Sequence, residues 1–321
     1  MSLGSAVVLG LAQAPMQVAP TTVYLMLGGR CPNDCAFCAQ ARSSAAGEHN
    51  LSRVTWPLFP ANRLLAAVRE RASAFQRLCI QATGSSTAHE ETLALVSRLR
   101  RITDLPLDVS ILPASVTAAE ELIAAGVEHI GFGVDAATSA VFTQVKGGSI
   151  ERYTKLLEAL ARRHTGSAAV HLIAGLGESE RELVEAMQHY HDLGAVSALF
   201  AFCPVPGTRM ASRPAPALAS YRRVQAARFL IVAGLGGADG FDYDSDGRVT
   251  GYGASPIESL TGGDAFRTSG CPGCNRPFYN ERPSGPMYNY ARPLTAAEAD
   301  ATLLETGIAA LAAVAAEAQH A

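Results

Sequence analysis

The sequence is short of several things at once, and each shortage removes a class of function. Charge of one sign is missing: 26 Lys and Arg stand against 29 Asp and Glu, for a formal net charge of −3. A general nucleic-acid binder would carry a basic face, so that class is set aside. No apolar run approaches the roughly 20 residues that span a bilayer, so no membrane segment is expected. No Lys or Arg precedes Arg30. The short apolar stretch at residues 6–12 therefore lacks the basic start of a secretory signal, and a cytoplasmic protein is expected. Cysteine is also absent before Cys31, and the total of seven is odd. Without a signal, a disulfide framework is not the natural reading.

What is present is a chain of 321 residues, 48% hydrophobic and 17% charged, able to bury a substantial core. Short apolar segments at residues 23–27, 77–82, 107–112, 129–133, 170–174 and 198–202 read as strands. Amphipathic stretches at 87–101, 117–125, 151–162, 179–193 and 218–232 read as helices, with Gly126 and Gly194 where two of them should stop. Alternation of this kind predicts an α/β fold in which a parallel sheet curls into a partial or complete (β/α) barrel, with its site at the C-terminal ends of the strands. The pattern dissolves after about residue 235 into a Gly-, Pro- and Asp-rich region. The expected division is a barrel over 1–235 and an extension over 236–321. A final helix over 296–319 is announced by the capping pair Thr295 and Glu298 and is expected to pack on the barrel's outside.

Three cysteines fall on one loop after the first strand: Gly28-Gly29-Arg30-Cys31-Pro32-Asn33-Asp34-Cys35-Ala36-Phe37-Cys38. Three thiolates can hold three irons of a [4Fe–4S] cluster and leave the fourth iron open. A zinc loop is the competing reading, but structural zinc takes four closed ligands, commonly from paired C-x-x-C units. The spacing of three residues and then two, with an aromatic before the last cysteine, resembles the signature of the radical S-adenosylmethionine (SAM) superfamily. The resemblance implies that Cys31, Cys35 and Cys38 hold a cluster whose open iron chelates SAM. Reductive cleavage of SAM to a 5′-deoxyadenosyl radical would follow.

The likeness extends over most of the chain and within the superfamily is strongest to the biotin synthase group. It implies SAM contacts at Phe37, Gly84, Ser85, Asp135, Gly175, Gly177, Glu178 and Val205. Asp135 stands where these enzymes place an acidic residue on the ribose, and a carboxylate can accept from both ribose hydroxyls. Gly175-Leu176-Gly177-Glu178 is similar to a Gly-rich turn beside SAM, and Pro206-Gly207-Thr208 to a segment whose backbone faces the adenine. Taken alone, Asp135 reads as a helix cap and Glu178 as a first-turn acid.

Four cysteines remain. Cys271 and Cys274 flank a Pro-Gly turn in a polar loop, poor for packing and good for a metal, zinc included. Cys79 lies on the second strand, where biotin synthases carry a cluster ligand. Cys203 follows the sixth strand and is read equally well as a small core hydrophobe. Together the four are expected to bind an auxiliary iron–sulfur cluster, with His171 as an alternative ligand or a satisfied interior polar group. The donor cluster of biotin synthase itself is not reproduced: the third strand offers Ser110 and the fifth His171 where further cysteines would stand.

The tail from Cys274 through Pro283, with Tyr288-Asn289-Tyr290, resembles one component of the two-component lipoyl synthases. That implies a sulfurtransferase acting on an octanoyl chain carried on a protein lysine. It also implies an octanoylated carrier protein or domain, a second radical SAM protein and a flavodoxin- or ferredoxin-type reductant as partners. A biotin-synthase relative with another small substrate, and a non-catalytic iron–sulfur or zinc protein, are the alternatives. Asp242, Asp244, Asp246 and Gly247 mimic a calcium loop. The twelfth position is Gly253 rather than a bidentate Glu, so a hairpin turn at Asp246-Gly247 is expected instead.

Overall fold

The computed structural model describes residues 1–318. Helix α1 (Leu3–Val8) precedes strand β1 (Thr22–Leu27), and the small hairpin β2 (Asn50–Leu51) and β3 (Val54–Thr55) leads into α2 (Ala61–Arg71). Then β4 (Arg77–Ala82), α3 (Ala88–Arg100), β5 (Leu107–Ser110), α4 (Val116–Ala124) and β6 (His129–Asp135) alternate. After α5 (Ser139–Val145) and α6 (Glu151–Arg163) come β7 (Ala168–Ala174), α7 (Glu180–Asp192), β8 (Val196–Ala201) and α8 (Leu218–Val232). The hairpin β9 (Asp242–Tyr243) and β10 (Val249–Gly251) and the helices α9 (Ala296–Glu305) and α10 (Ala309–Ala318) end the described chain.

Six strands form one parallel sheet in the order β1-β4-β5-β6-β7-β8, the α/β partial barrel expected from the alternation. The strands are apolar because both faces are covered. Leu78, Ile80, Leu107, Val109, Ile130, Val170 and Leu172 are fully buried, and the helices lie outside. Residues at one level of the sheet come from neighbouring strands in register: Tyr24 lies opposite Cys79, Cys79 opposite Asp108, and Asp108 opposite His129. At the end of β6 the pairing with β7 slips between Gly133 and Asp135, and Asp135 adopts φ +67°. A bulge of this kind re-aims a side chain at a strand end.

The sheet is open between β1 and β8, and the C-terminal region closes it. Thr21, just before β1, donates its N–H to Asn275 Oδ1 (2.9 Å), and Tyr24 Oη on β1 accepts from Arg276 N (2.9 Å). Across the gap, Leu199 N on β8 donates to Ser269 Oγ (2.9 Å), and Asn280 Nδ2 donates to Ala201 O (2.7 Å). Two fully or nearly fully buried arginines of α8 fasten the rest. Arg222 donates to Glu305 (2.7 Å) and to Tyr288 O (2.8 Å), and Arg223 donates to Glu180 (2.9 Å) and to Thr306 O (2.8 Å). Phe266, Tyr288, Leu303 and Leu311 join the same buried cluster as the barrel core, so residues 236–318 pack as part of one core with residues 1–235.

The helix expected over 296–319 is two helices. It breaks at Thr306, whose hydroxyl bonds Leu303 O (2.6 Å), and at Gly307, with φ +69°. Residue 319 lies outside the described residues. The capping box at Thr295 and Glu298 is formed, and the turn at Asp246-Gly247 joins β9 to β10 as a hairpin.

Candidate active site and second metal site

The loop after β1 is folded by its own polar groups. Arg30 Nη1 donates to Ala39 O and Ala41 O (both 3.2 Å), and Nη2 donates to Ala46 O (2.9 Å). Cys31 N donates to Gln40 O (2.9 Å), and Cys38 N to Cys35 O (3.1 Å). The loop is anchored outward by Ala36 N to Val145 O (2.6 Å), at the end of α5, and by an Arg209–Asp34 ion pair. One thiol also meets β4's C-terminal end, since Gly84 N donates to Cys31 Sγ (3.3 Å). Burial pushes the Cys35 thiol up to about 12 and the Cys38 thiol up to about 11; the neighbouring thiols and Asp135 add to it. The buried Cys35 and Cys38 thiols resist ionisation and feel Cys31 beside them, an arrangement matched to a cation, which deprotonates coordinating sulfur.

Asp135 faces this cluster of thiols. Its Oδ2 accepts from Lys146 Nζ (2.7 Å), leaving Oδ1 as a free acceptor. Lys146 is buried beneath the rings of Phe142 and Tyr153, 5.1 and 4.4 Å from their centroids. Of the other residues expected around SAM, Phe37 packs beside Val141, Phe142 and Met210, and Val205 packs on Ala39 and Ala46 behind the cysteine loop. Ser85 is partly exposed and its hydroxyl lies 3.5 Å from Thr87 Oγ1. Glu178 turns back onto its own loop: Oε1 accepts from Gly175 N (2.6 Å) while Oε2 is buried with no protein partner, and burial pushes its carboxyl up. Gly177 lies beside Arg213 and Val141. Lys146 was not anticipated, because its partners lie on β6 and α6 and no local motif marks them.

Inside the barrel a second group of thiols lines a cavity of about 480 Å³. Cys79, Cys271 and Cys274 lie in its wall with Tyr24, Asp108, His171 and Arg276. Cys274 Sγ is 3.2 Å from Tyr24 Oη, and Cys79 Sγ accepts from Gln81 Nε2 (2.9 Å). The Cys271–Cys274 turn is held against the sheet by Arg77 Nε to Pro272 O (2.8 Å). Burial pushes the Cys79 and Cys271 thiols up, and the neighbouring Asp108 carboxylate pushes them further. Burial pushes His171 down to about 4, so its imidazole is neutral.

Cys203, expected as a fourth ligand here, does not line this cavity. It is buried beyond the end of β8 with Arg53, Ser52 and Glu281 as neighbours. Strand alternation has ended by that residue, so it no longer governs which way the side chain points. Ser110 follows Asp108 by two on β5, and it is Asp108 that enters the cavity wall.

A three-thiol loop at the C-terminal mouth of an open parallel barrel, with an acid at the mouth's rim, defines an iron–sulfur, SAM-binding class of protein. The chain belongs to the radical SAM superfamily: the superfamily's model matches residues 25–190, more than half its length. Membership implies a [4Fe–4S] cluster and SAM as cofactors, and the thiols and the free acceptor at Asp135 suit both. Its curated relatives include the biotin synthase of Desulforudis audaxviator (strain MP104C), 30% identical over 75% of this chain and 74% of that one. The biotin synthase of Synechococcus sp. (strain JA-3-3Ab) is 29% identical over 63% of this chain and 66% of that one. The matched regions span 59 to 74% of the length of four such biotin synthases. Methylornithine synthase has the same fold, with a TM-score of 0.52 at 10% identity over 67% of this chain and 63% of that one. So does the FeFe-hydrogenase maturase HydG from Carboxydothermus hydrogenoformans, at 0.53 and 14% over 66 and 51%. No helix among the described residues is long and apolar enough to cross a membrane.

Proposed function

We propose that this chain is a radical SAM sulfur-inserting enzyme of the lipoyl synthase type. In this reading Cys31, Cys35 and Cys38 hold the SAM cluster, and Cys79, Cys271 and Cys274 hold an auxiliary iron–sulfur cluster. One observation carries it: Cys79 and the Cys271–Cys274 pair, nearly 200 residues apart in sequence, line a single cavity. When bound, the first cluster and SAM supply a 5′-deoxyadenosyl radical for hydrogen abstraction, and the second supplies sulfide. The chain's own contribution is to orient and to exclude water. Asp135 Oδ1 would accept from the ribose, and Arg30 and Gln40 hold the cysteine loop closed. The same cavity runs outward between Leu3, Val7, Val18, Trp56 and Phe278. Apolar walls of that kind suit an unbranched acyl chain. An octanoyl group on the lysine of a carrier protein or domain is therefore the proposed substrate. A second radical SAM protein is the proposed partner for the other sulfur insertion, and a flavodoxin or ferredoxin the electron donor.

The likeness to biotin synthases favours a second reading, sulfur insertion into a small free substrate. Product analysis with octanoylated carrier domain against dethiobiotin separates the two. The test of the common core is iron and acid-labile sulfide per chain after anaerobic reconstitution. About eight irons in the wild type and about four in Cys271→Ala/Cys274→Ala are expected. About four in both removes the auxiliary cluster and with it the sulfur source.

A further inference from the structure

Three thiols leave the second site one ligand short of an all-protein set, and no fourth cysteine reaches it. Among the other polar side chains of the wall, most are already engaged. Arg276 is a cation, donating to Ser269 O (2.7 Å) with its guanidinium 4.1 Å from the Phe200 ring centroid. Tyr24 is shared between Cys274 Sγ and Arg276 N. Gln81 donates to Cys79. His171 packs edge-on to Phe200 at 5.5 Å between centroids and does not join the close group of possible ligand atoms formed by Asp108, His129 and Cys271.

Glu281 also lines the cavity with an unpartnered oxygen, but the thiol it acts on is Cys203, whereas Asp108 acts on Cys79 and Cys271. Asp108 is only 4% exposed, and its two oxygens have separate surroundings. Oδ1 accepts from Arg77 Nη1 (2.7 Å) and lies 2.8 Å from His129 Nδ1. Oδ2 is buried with no hydrogen-bond partner. A buried carboxylate oxygen without a donor is destabilising unless a cation meets it. Asp108 lines the cavity and is opposite Cys79 in the sheet register; a carboxylate oxygen, a His129 nitrogen and Cys271 Sγ lie within 4.8 Å of one another. Arg77 fixes both sides of this arrangement, since one guanidinium holds Asp108 Oδ1 and the carbonyl of Pro272 beside Cys271.

We propose that Asp108 Oδ2 is the fourth, oxygen ligand of the metal centre held by Cys79, Cys271 and Cys274. The inference rests on reading that site as an iron–sulfur cluster. A carboxylate among thiolates is the harder donor, so it sets one iron apart from the other three. Arg77 and His129 act as positioning residues that keep the carboxylate turned toward the cavity.

The experiment uses the full chain with Cys31→Ala, Cys35→Ala and Cys38→Ala, so that iron reports the second centre alone. Reconstituted with 57Fe, this parent is expected to hold about four irons, one with Mössbauer parameters distinct from an all-thiolate cluster. Asp108→Asn is expected to drop to about three, and Asp108→Cys to restore about four with an all-thiolate spectrum. A variant that fails to fold is bypassed by measuring the parent itself: with carboxyl-13C aspartate, the reduced centre should show a 13C hyperfine coupling. Full iron with an unchanged spectrum in Asp108→Asn, loss of iron in His171→Ala instead, or no 13C coupling in the parent overturns the assignment. A parent that binds no iron overturns the cluster reading itself, and the two failures are thereby distinguishable.

Discussion

Lys146 Nζ lies 2.7 Å from Asp135 Oδ2, and both side chains are shielded from solvent at the rim of the cysteine loop. Burial pushes the lysine down, but Asp135, then Tyr153 and Cys35, outweigh it and hold Lys146 above its ordinary value. The ammonium is thus a fixed cation that pins one carboxylate oxygen and leaves the other for a ligand. Asp135 itself sits at φ +67°, a conformation that needs such support.

Lys146→Met removes one partner of a buried pair, which is expected to lower stability by about 3 kcal/mol and SAM affinity at least tenfold. Lys146→Met/Asp135→Asn is expected to recover much of the stability, since no charge is left unpaired, but not the affinity. Equilibrium dialysis with labelled SAM on the reconstituted chain, alongside urea unfolding, reads both. Wild-type affinity in the double variant places the ribose contact elsewhere.

Legibility in the sequence followed the range of the forces involved. The six sheet strands are buried on both faces, so their apolar runs match the observed elements to within one or two residues at most ends. Helix α8 is read correctly over Leu218–Val232 although Arg222 and Arg223 are buried, because their partners lie on the tail and on α7. Helices α1, α2 and α5 carry weak signals in the sequence: α2 follows Pro60, an N-cap without a side-chain hydrogen bond, and α1 and α5 span only six and seven residues. The first three cysteines are local, and their spacing alone announces them. Asp108 is invisible as a site residue, because only register with Cys79 and the grip of Arg77 bring it to the second site. Cys203, read equally well as a core hydrophobe or a ligand, shows the converse: being a cysteine near a strand end carries no information about direction.

Gly207 is expected to be intolerant of the smallest substitution. It holds φ +88°, and a Cβ there would stand 2.5 Å from Ala46 N and 2.7 Å from Ala45 C, both backbone atoms. Its carbonyl accepts from Ala45 N (2.8 Å), tying the loop after β8 to the segment after Cys38. Gly207→Ala should cost roughly 2–4 kcal/mol, combining the left-handed backbone with a clash that cannot relax. Iron of the SAM cluster should fall while iron of the second centre persists. Gly234→Ala is the control: φ is +67° but the space is open, so only about 1 kcal/mol is expected. Equal unfolding midpoints for the two variants would exclude the backbone clash as the cause.

Glu281 makes the stability of the cluster-free chain depend on pH in a direction opposite to an ion-paired acid. It is 4% exposed, Oε2 has no partner, and burial pushes its carboxyl up from the ordinary 4.5 to about 7. Between those two values the folded chain binds more protons than the unfolded one, so stability falls as pH rises through the window and stays low above it. The gap corresponds to about 3 kcal/mol if the unfolded carboxyl is ordinary. Histidines titrate in the same range, so the informative quantity is the difference between wild type and Glu281→Gln, whose amide is neutral throughout. Urea unfolding at about pH 5 and about pH 8 is expected to show the Gln variant gaining on the wild type by roughly 2–3 kcal/mol at the higher pH, with little difference at the lower. A difference that does not change with pH means that Glu281 is ionised in the folded chain at both values, and the unpartnered oxygen must then be compensated by Arg276 and Arg222, the two cations that act on it.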